Sequence, residues 1–285
     1  MLRFLILVGL LSLKGTGNSV ADTGLDAQQL KRGEYVYHVA GCASCHTAEG
    51  GAPLAGGVKM ETPFGTFYTP NISADSETGI GAWSDADFIR AMTRGESPRG
   101  QHYYPSFPYT SYTHMTRQDL LDLKRYLDAQ PAVTQANRAH DLRFPFNIRS
   151  LLSVWKLLNF DAGSCSGFEQ DGSLRARGAY LVNGPGHCAE CHSPRNWFGG
   201  LDKRRFLQGN TQGPDGESVP GITMDQKFRV SRWPEEDLIF SLQIGMLPDG
   251  DFLGGSMGHV IDNSTGRMSD EDLKAIATYL RSLED

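Results

Sequence analysis

The chain has 285 residues, with 27 Lys and Arg against 33 Asp and Glu, a formal charge of −6, and 39% hydrophobic residues. The acidic balance argues against nucleic acid and anionic membrane surfaces as partners, because both favour clustered basic side chains. The length accommodates two domains of ordinary size, and a chain this long does not need its five cysteines as disulfide staples.

The first segment, MLRFLILVGLLSLKGTGNSVAD, sets Arg3 before an apolar run from Phe4 to Leu13 and ends on small residues at Ser19 and Ala21. This is the order of a secretory signal peptide, with cleavage expected after Ala21. The apolar run is too short to cross a bilayer, which takes about 20 residues. We therefore expect an exported, periplasmic protein with no membrane span in the mature chain. Removing Arg3 and Lys14 leaves 25 basic residues against 33 acidic ones, a charge of −8.

Two stretches, GCASCHTAEG and HCAECHSPRN, carry Cys42, Cys45 and His46, and then Cys188, Cys191 and His192. C-x-x-C-H is the attachment signature of c-type haem. Two thiols on one helical turn add to the two vinyl groups of the porphyrin, and the following histidine lies under the ring to coordinate iron. A zinc site would bring four protein ligands together. A thioredoxin-like dithiol needs no histidine and accompanies a βαβ pattern, which this sequence lacks. Two motifs in equivalent settings predict two covalently bound haem c groups.

The flanks repeat as well. RGEYVYHVAGCASCH from Arg32 matches RGAYLVNGPGHCAECH from Arg177, and TPNISADSETGIGAWSDADFIRAMTRG matches VPGITMDQKFRVSRWPEEDLIFSLQIG. Trp83 and Trp233 are 150 residues apart, as are Gly95 and Gly245, and MTRQDLLDLKRYL faces MSDEDLKAIATYL. One haem module has been duplicated. Within each copy the periodicity predicts helices: Ser84 with Asp87 caps a run through Phe88, Ile89 and Met92, and Thr116 with Asp119 caps one through Leu120, Leu123 and Leu127. Gly- and Pro-rich segments such as GGAPLAGG are loops, of a length that wrapping a large flat cofactor explains.

Between the copies, Ile148, Leu151, Leu152, Trp155 and Leu158 fall on one helical stripe, expected to pack across the two modules; a partner-binding helix is the alternative. The predicted organisation is a mainly α protein: signal peptide 1–21, first module 22–130, helical linker 131–170, second module 171–285. Cys165 is the odd cysteine, expected as a free thiol in the linker, with thiolate ligation of the first iron as the alternative.

At this point the chain resembles the dihaem cytochromes c related to the cytochrome subunit of membrane-bound alcohol and gluconate dehydrogenases. TPFGTFYTPNIS, TGIGAWSDADF, YYPSFPYTSY, FPFNIR, CHSPRN and DGDFLGGSMGHVI carry the likeness, over nearly the whole mature chain. The resemblance implies two tandem class I cytochrome c domains. It also implies electron relay from a periplasmic dehydrogenase, the donor, to an oxidase, quinone or another cytochrome. The dehydrogenase subunits have a third CxxCH and a C-terminal membrane-anchoring segment, whereas this sequence has neither, which favours a soluble dihaem relative.

The same family places a second axial ligand, usually methionine, before the last helix of each module. Met257, between glycines, is the expected donor to the second iron, with His259 a possible nitrogen donor. Met268 directly precedes the cap Ser269 and reads as a hydrophobic staple meeting Leu273. In the first module Phe107 falls near Met257, and Met115 over Met268. The first iron is expected to take Met115, with His114, His102 or an open position as alternatives. An open or unusual first iron would turn an electron carrier into a dihaem enzyme, a peroxidase or sulfur-compound oxidase.

Overall fold

The computed structural model describes residues 20–163, 171–213 and 216–283; most of the expected signal peptide and Cys165 lie outside the described residues. The first half runs α1 (Val20–Val39), α2 (Cys42–His46), β1 (Lys59–Thr62), β2 (Gly65–Tyr68), α3 (Asp85–Arg94), α4 (Tyr109–Tyr112) and α5 (Arg117–Asp128). After β3 (Asp141–Leu142) and α6 (Leu152–Asn159), the second half repeats the helices as α7 (Leu174–Asn183), α8 (Ala189–His192), α9 (Glu235–Ile244), α10 (Gly255–Asn263) and α11 (Asp270–Arg281).

Each half is built on its first and last long helices, α1 against α5 and α7 against α11. The crossing is close because a glycine sits at each contact. A Cβ on Gly33 would lie 2.0 Å from the Asp122 carbonyl oxygen, and one on Gly178 only 1.9 Å from that of Ala275. Leu120, Leu123 and Leu127 of α5 and Leu273, Ile276 and Leu280 of α11 are buried, at roughly 1.5–3 kcal/mol each. The predicted caps are present: Ser84 and Asp87 form a full capping box on α3, and Thr116 and Ser269 accept from the N–H groups of Asp119 and Asp272. Gly95 and Gly245 end α3 and α9 with φ of 58° and 78°, the left-handed conformation that favours glycine.

In the two last helices the capping aspartates turn to the other half. The Tyr35 hydroxyl accepts from the Ser269 N–H at 3.2 Å and donates to Asp272 at 2.6 Å. The Tyr180 hydroxyl accepts from the Thr116 N–H at 3.2 Å and donates to Asp119. Each half's first helix thus caps the other's last helix, and the halves share core: Val39 packs in the cluster of Leu181, Leu273 and Ile276.

The intervening segment departs from the expected stripe. Residues 131–142 run back over the first half, where Asn71 donates to the Val133 carbonyl at 2.7 Å and β3 pairs antiparallel with β2, giving the order β1-β2-β3. Of the stripe, Leu152 is buried against Phe67 and Tyr104, but Ile148, Leu151 and Leu158 are exposed. A polar group holds α6 instead: the Lys156 ammonium donates to the carbonyls of Arg94 and Gly95 at 2.6 and 2.9 Å and to His102 Nδ1 at 2.9 Å. It sits at the C-terminus of α3, where the helix dipole favours a cation.

Gly178→Ala should lower stability by about 1–3 kcal/mol, the usual range for overpacking, read as a fall in Tm. Gly254→Ala, where the new methyl meets nothing within 4 Å, should leave Tm nearly unchanged.

Candidate functional site

The five residues Cys42–His46 form one short helix, and Cys188 caps the turn that ends at His192. Neither cysteine pair is joined as a disulfide. Burial pushes Cys42 and Cys188 up to about 12, and Cys191 up to about 11. Among the described residues no three or more His, Cys, Asp or Glu side chains converge as a zinc cage would.

The imidazoles are oriented identically. Nδ1 of His46 lies 2.8 Å from the Pro70 carbonyl oxygen, and Nδ1 of His192 lies 2.8 Å from that of Pro220. A carbonyl only accepts, so Nδ1 carries the proton and Nε2 keeps its lone pair. Burial lowers both histidines below the usual imidazole range, favouring the neutral ring that coordinates metal. Two cysteines one turn apart and not joined to each other, followed by an imidazole with Nε2 available, fit covalent haem. Cys42 and Cys45 with His46, and Cys188 and Cys191 with His192, are the residues that would hold it.

Around each imidazole the loops repeat in detail. Leu54 and Leu207, both buried, adopt φ of 62° and 58°, a conformation costly for a non-glycine residue. Both ends of each are fastened. Leu54 N–H donates to Thr47 Oγ1 at 3.1 Å and its carbonyl accepts from Ile72. Leu207 N–H donates to Ser193 Oγ at 2.8 Å and its carbonyl accepts from Ile222. Gly56 and Gly209 close the loops by donating to the carbonyls of His46 and His192. These positions were not singled out from sequence, although L-x-G recurs in both copies, 16 residues before Pro70 and 13 before Pro220.

In the first half the Pro70 loop is braced by Asp75, whose carboxylate accepts from the Thr78 N–H at 2.7 Å, the Thr78 hydroxyl at 2.8 Å and the Thr134 hydroxyl at 2.9 Å.

The candidate second ligands are scattered. Met257 lies on α10, half-buried, with His259 exposed two residues on. Met115 and Met268 occupy one place each in their halves: 3% and 8% exposed, directly before a capped helix, packed with Leu120 and Leu273 respectively. Phe107 packs against the cluster that contains Met115 and Cys42, edge-on to Tyr103 and Tyr112. His102 is engaged by Lys156, and His114 packs against Gly163.

The two motifs meet at the junction of the halves. α2 packs on α10, with Ser44 Oγ donating to the His259 carbonyl at 3.4 Å. Reciprocally, Thr110 and Ser111 at α4 donate to the Glu190 carboxylate at 2.7 and 3.2 Å, and Glu190 stands inside the second motif. The Tyr112 ring lies edge-on to His187, 5.6 Å between centroids, and His187 Nε2 donates to the Ala40 carbonyl at 3.3 Å.

A cytochrome c family model matches residues 30–130. The chain is 46% identical over 262 residues to a diheme cytochrome c-type protein of Cereibacter sphaeroides, covering 89% of this chain and 85% of that one. It is 35% identical to the gluconate 2-dehydrogenase cytochrome c subunit of Pantoea cypripedii, over 98% of this chain and 64% of the relative. It is also 35% identical to the cytochrome c subunit of the alcohol dehydrogenase (quinone) of Gluconobacter oxydans, over 90% and 55%. The chain therefore spans less than two thirds of either dehydrogenase subunit.

Asp75 is held at about 2, first by the Thr78 N–H. A carboxyl depressed below its unfolded value of 3.8 contributes stability that is present above that value and lost as pH falls through about 2. Asp75→Asn should therefore lower Tm at neutral pH, and the gap from wild type should close as pH is taken down through that window. A gap independent of pH would remove Asp75 from this role.

Proposed function

The chain belongs to the dihaem c-type cytochromes and carries two covalently bound haem c groups, and from that premise we propose that it relays electrons from a periplasmic dehydrogenase to the respiratory chain, with an oxidase, quinone or another cytochrome as acceptor. The observation that carries this reading is the crossed contact at the junction: α2 on α10, and α4 on α8 through Glu190. It sets the two attachment motifs on facing sides of one interface, as transfer between them requires. The dehydrogenase partner is supported by the relatives that are dehydrogenase subunits, and export by the leader-like first residues.

The bound groups supply reversible one-electron iron chemistry; the chain orients, ligates and shields them. In this reading Cys42, Cys45, Cys188 and Cys191 tether the porphyrins, and His46 and His192 ligate the irons through Nε2, each steadied by its proline carbonyl. Met257 is the proposed second donor in the second half. For the first half the proposed donor is Met115. Its shared place with Met268 supports a packing role instead, which is the observation favouring a dihaem enzyme with an open first iron.

Haem stain should persist on a denaturing gel and fall to half when Cys188 and Cys191 are both changed to alanine. Met257→Ala should convert one haem of two to a high-spin or water-ligated form in the spin-resonance spectrum of the oxidised protein. Met115→Leu preserves volume, so a pure staple tolerates it. Conversion of the other haem by Met115→Leu establishes ligation, and no spectral change refutes it. Steady turnover of peroxide by the purified holoprotein would replace the carrier by the enzyme.

A further inference from the structure

α6 faces inward with Leu152 and Lys156 and outward with its apolar side. Leu151 is 48% exposed, Val154 56%, Leu157 83% and Leu158 73%; at 3.6 residues per turn these four share one continuous face. Beside them Trp197 is 95% and Phe198 68% exposed. Helix and loop form one surface, since Trp155 Nε1 donates to the Phe198 carbonyl at 2.7 Å and Asn196 Nδ2 donates to Asn159 Oδ1 at 2.8 Å. Contiguous apolar patches on monomers rarely exceed a few hundred Å². The two aromatics alone offer up to roughly 150–250 Å² each, and with four aliphatics the face approaches the ~800 Å² per partner of a stable protein–protein contact.

The surround is basic on an acidic chain. Setting aside Lys156, which points inward, residues 138–161 hold three basic side chains against two acidic, and residues 195–205 four against one, so these stretches carry +4 in a chain of −6. The face also lies close to the second motif. Arg195 donates through Nη1 to the Gly199 carbonyl at 2.8 Å, and through Nη2 to the Glu190 carbonyl at 2.9 Å and its carboxylate at 2.6 Å. A protein seated on Trp197 is thus one side chain away from the Cys188–His192 turn.

The geometry points to this face as the docking surface for the catalytic subunit of the dehydrogenase, a protein presenting an apolar centre within an acidic rim; the inference rests on the electron-relay reading above. A second copy of the chain would set two basic rims against each other. A lipid surface would cover the approach to the second motif without exchanging electrons.

The test uses tagged holoprotein from its native host and the dehydrogenase subunit retained with it, identified by mass and by its bound flavin, quinone or molybdenum. The double variant Leu157→Ser, Trp197→Ser changes two exposed side chains, so its haem spectrum and Tm should match wild type. We expect retention to be lost, and the KM of the purified subunit for the cytochrome to rise at least tenfold, with turnover on a dye acceptor unchanged. Unchanged KM overturns the surface while leaving the relay intact; absence of any dehydrogenase from the wild-type preparation overturns the relay's donor and the surface with it. Two outcomes, each with unchanged KM, reassign the face: flotation of wild type but not variant with phosphatidylglycerol vesicles makes it a lipid face, and sedimentation as a wild-type dimer but variant monomer makes it a self-contact.

Discussion

A histidine that follows its attachment cysteines can ligate iron only if the ring presents Nε2, and the hydrogen bond from Nδ1 to a proline carbonyl enforces this in both halves. Much of the surrounding structure keeps that carbonyl in place. Proline has no N–H to lose to a competing partner, and the residue two positions on, Ile72 or Ile222, ties the loop to a left-handed leucine. The strain at Leu54 and Leu207 persists because both of its peptide groups are spoken for. In the first half the loop is further anchored by Asp75 and by the returning segment 131–142.

What could be read in the sequence was what local chemistry determines. The paired motifs, the caps at Ser84, Thr116 and Ser269, the C-terminal glycines and the helical runs all depend on residues within a few positions of each other, and the structure has them. The stripe on α6 was misread for a physical reason. Periodicity reports that a helix has an apolar side but not that something covers it, and here Lys156 competes successfully for the inward position by satisfying two carbonyls at the end of α3 and His102 beyond it. The crossed tyrosines were invisible because their partners lie 61 and 237 positions away. The N3 aspartates pointed to caps, and each carboxylate accepts from a tyrosine of the opposite half, that of Asp272 also from Arg177 of its own.

The halves agree most closely around the histidine and least on the opposite side. α10 has nine residues and carries Met257, whereas α4 has four and follows Phe107. The first half alone has the three-stranded sheet among the described residues. Its aromatic cluster of Tyr103, Phe107, Tyr109 and Tyr112 packs near the first motif. Burial lifts the Tyr103 phenol to about 12 and Tyr112 well above its usual value, so these rings stay neutral and act as packing.

The crossed contacts have the form of an isologous dimer: tyrosine of one half on the capped helix of the other, attachment turn of one on the distal helix of the other. In a true homodimer each such contact occurs twice with the same residues, so the two irons could differ in nothing. Joining the halves in one chain removes that restriction. Glu190 stands where the first motif has Ser44, so a carboxylate braced by Arg195 lies within one attachment motif and a neutral hydroxyl within the other. Met257 and Phe107 differ in the same way. Duplication followed by divergence across a shared interface thus provides two unequal haem sites from one fold.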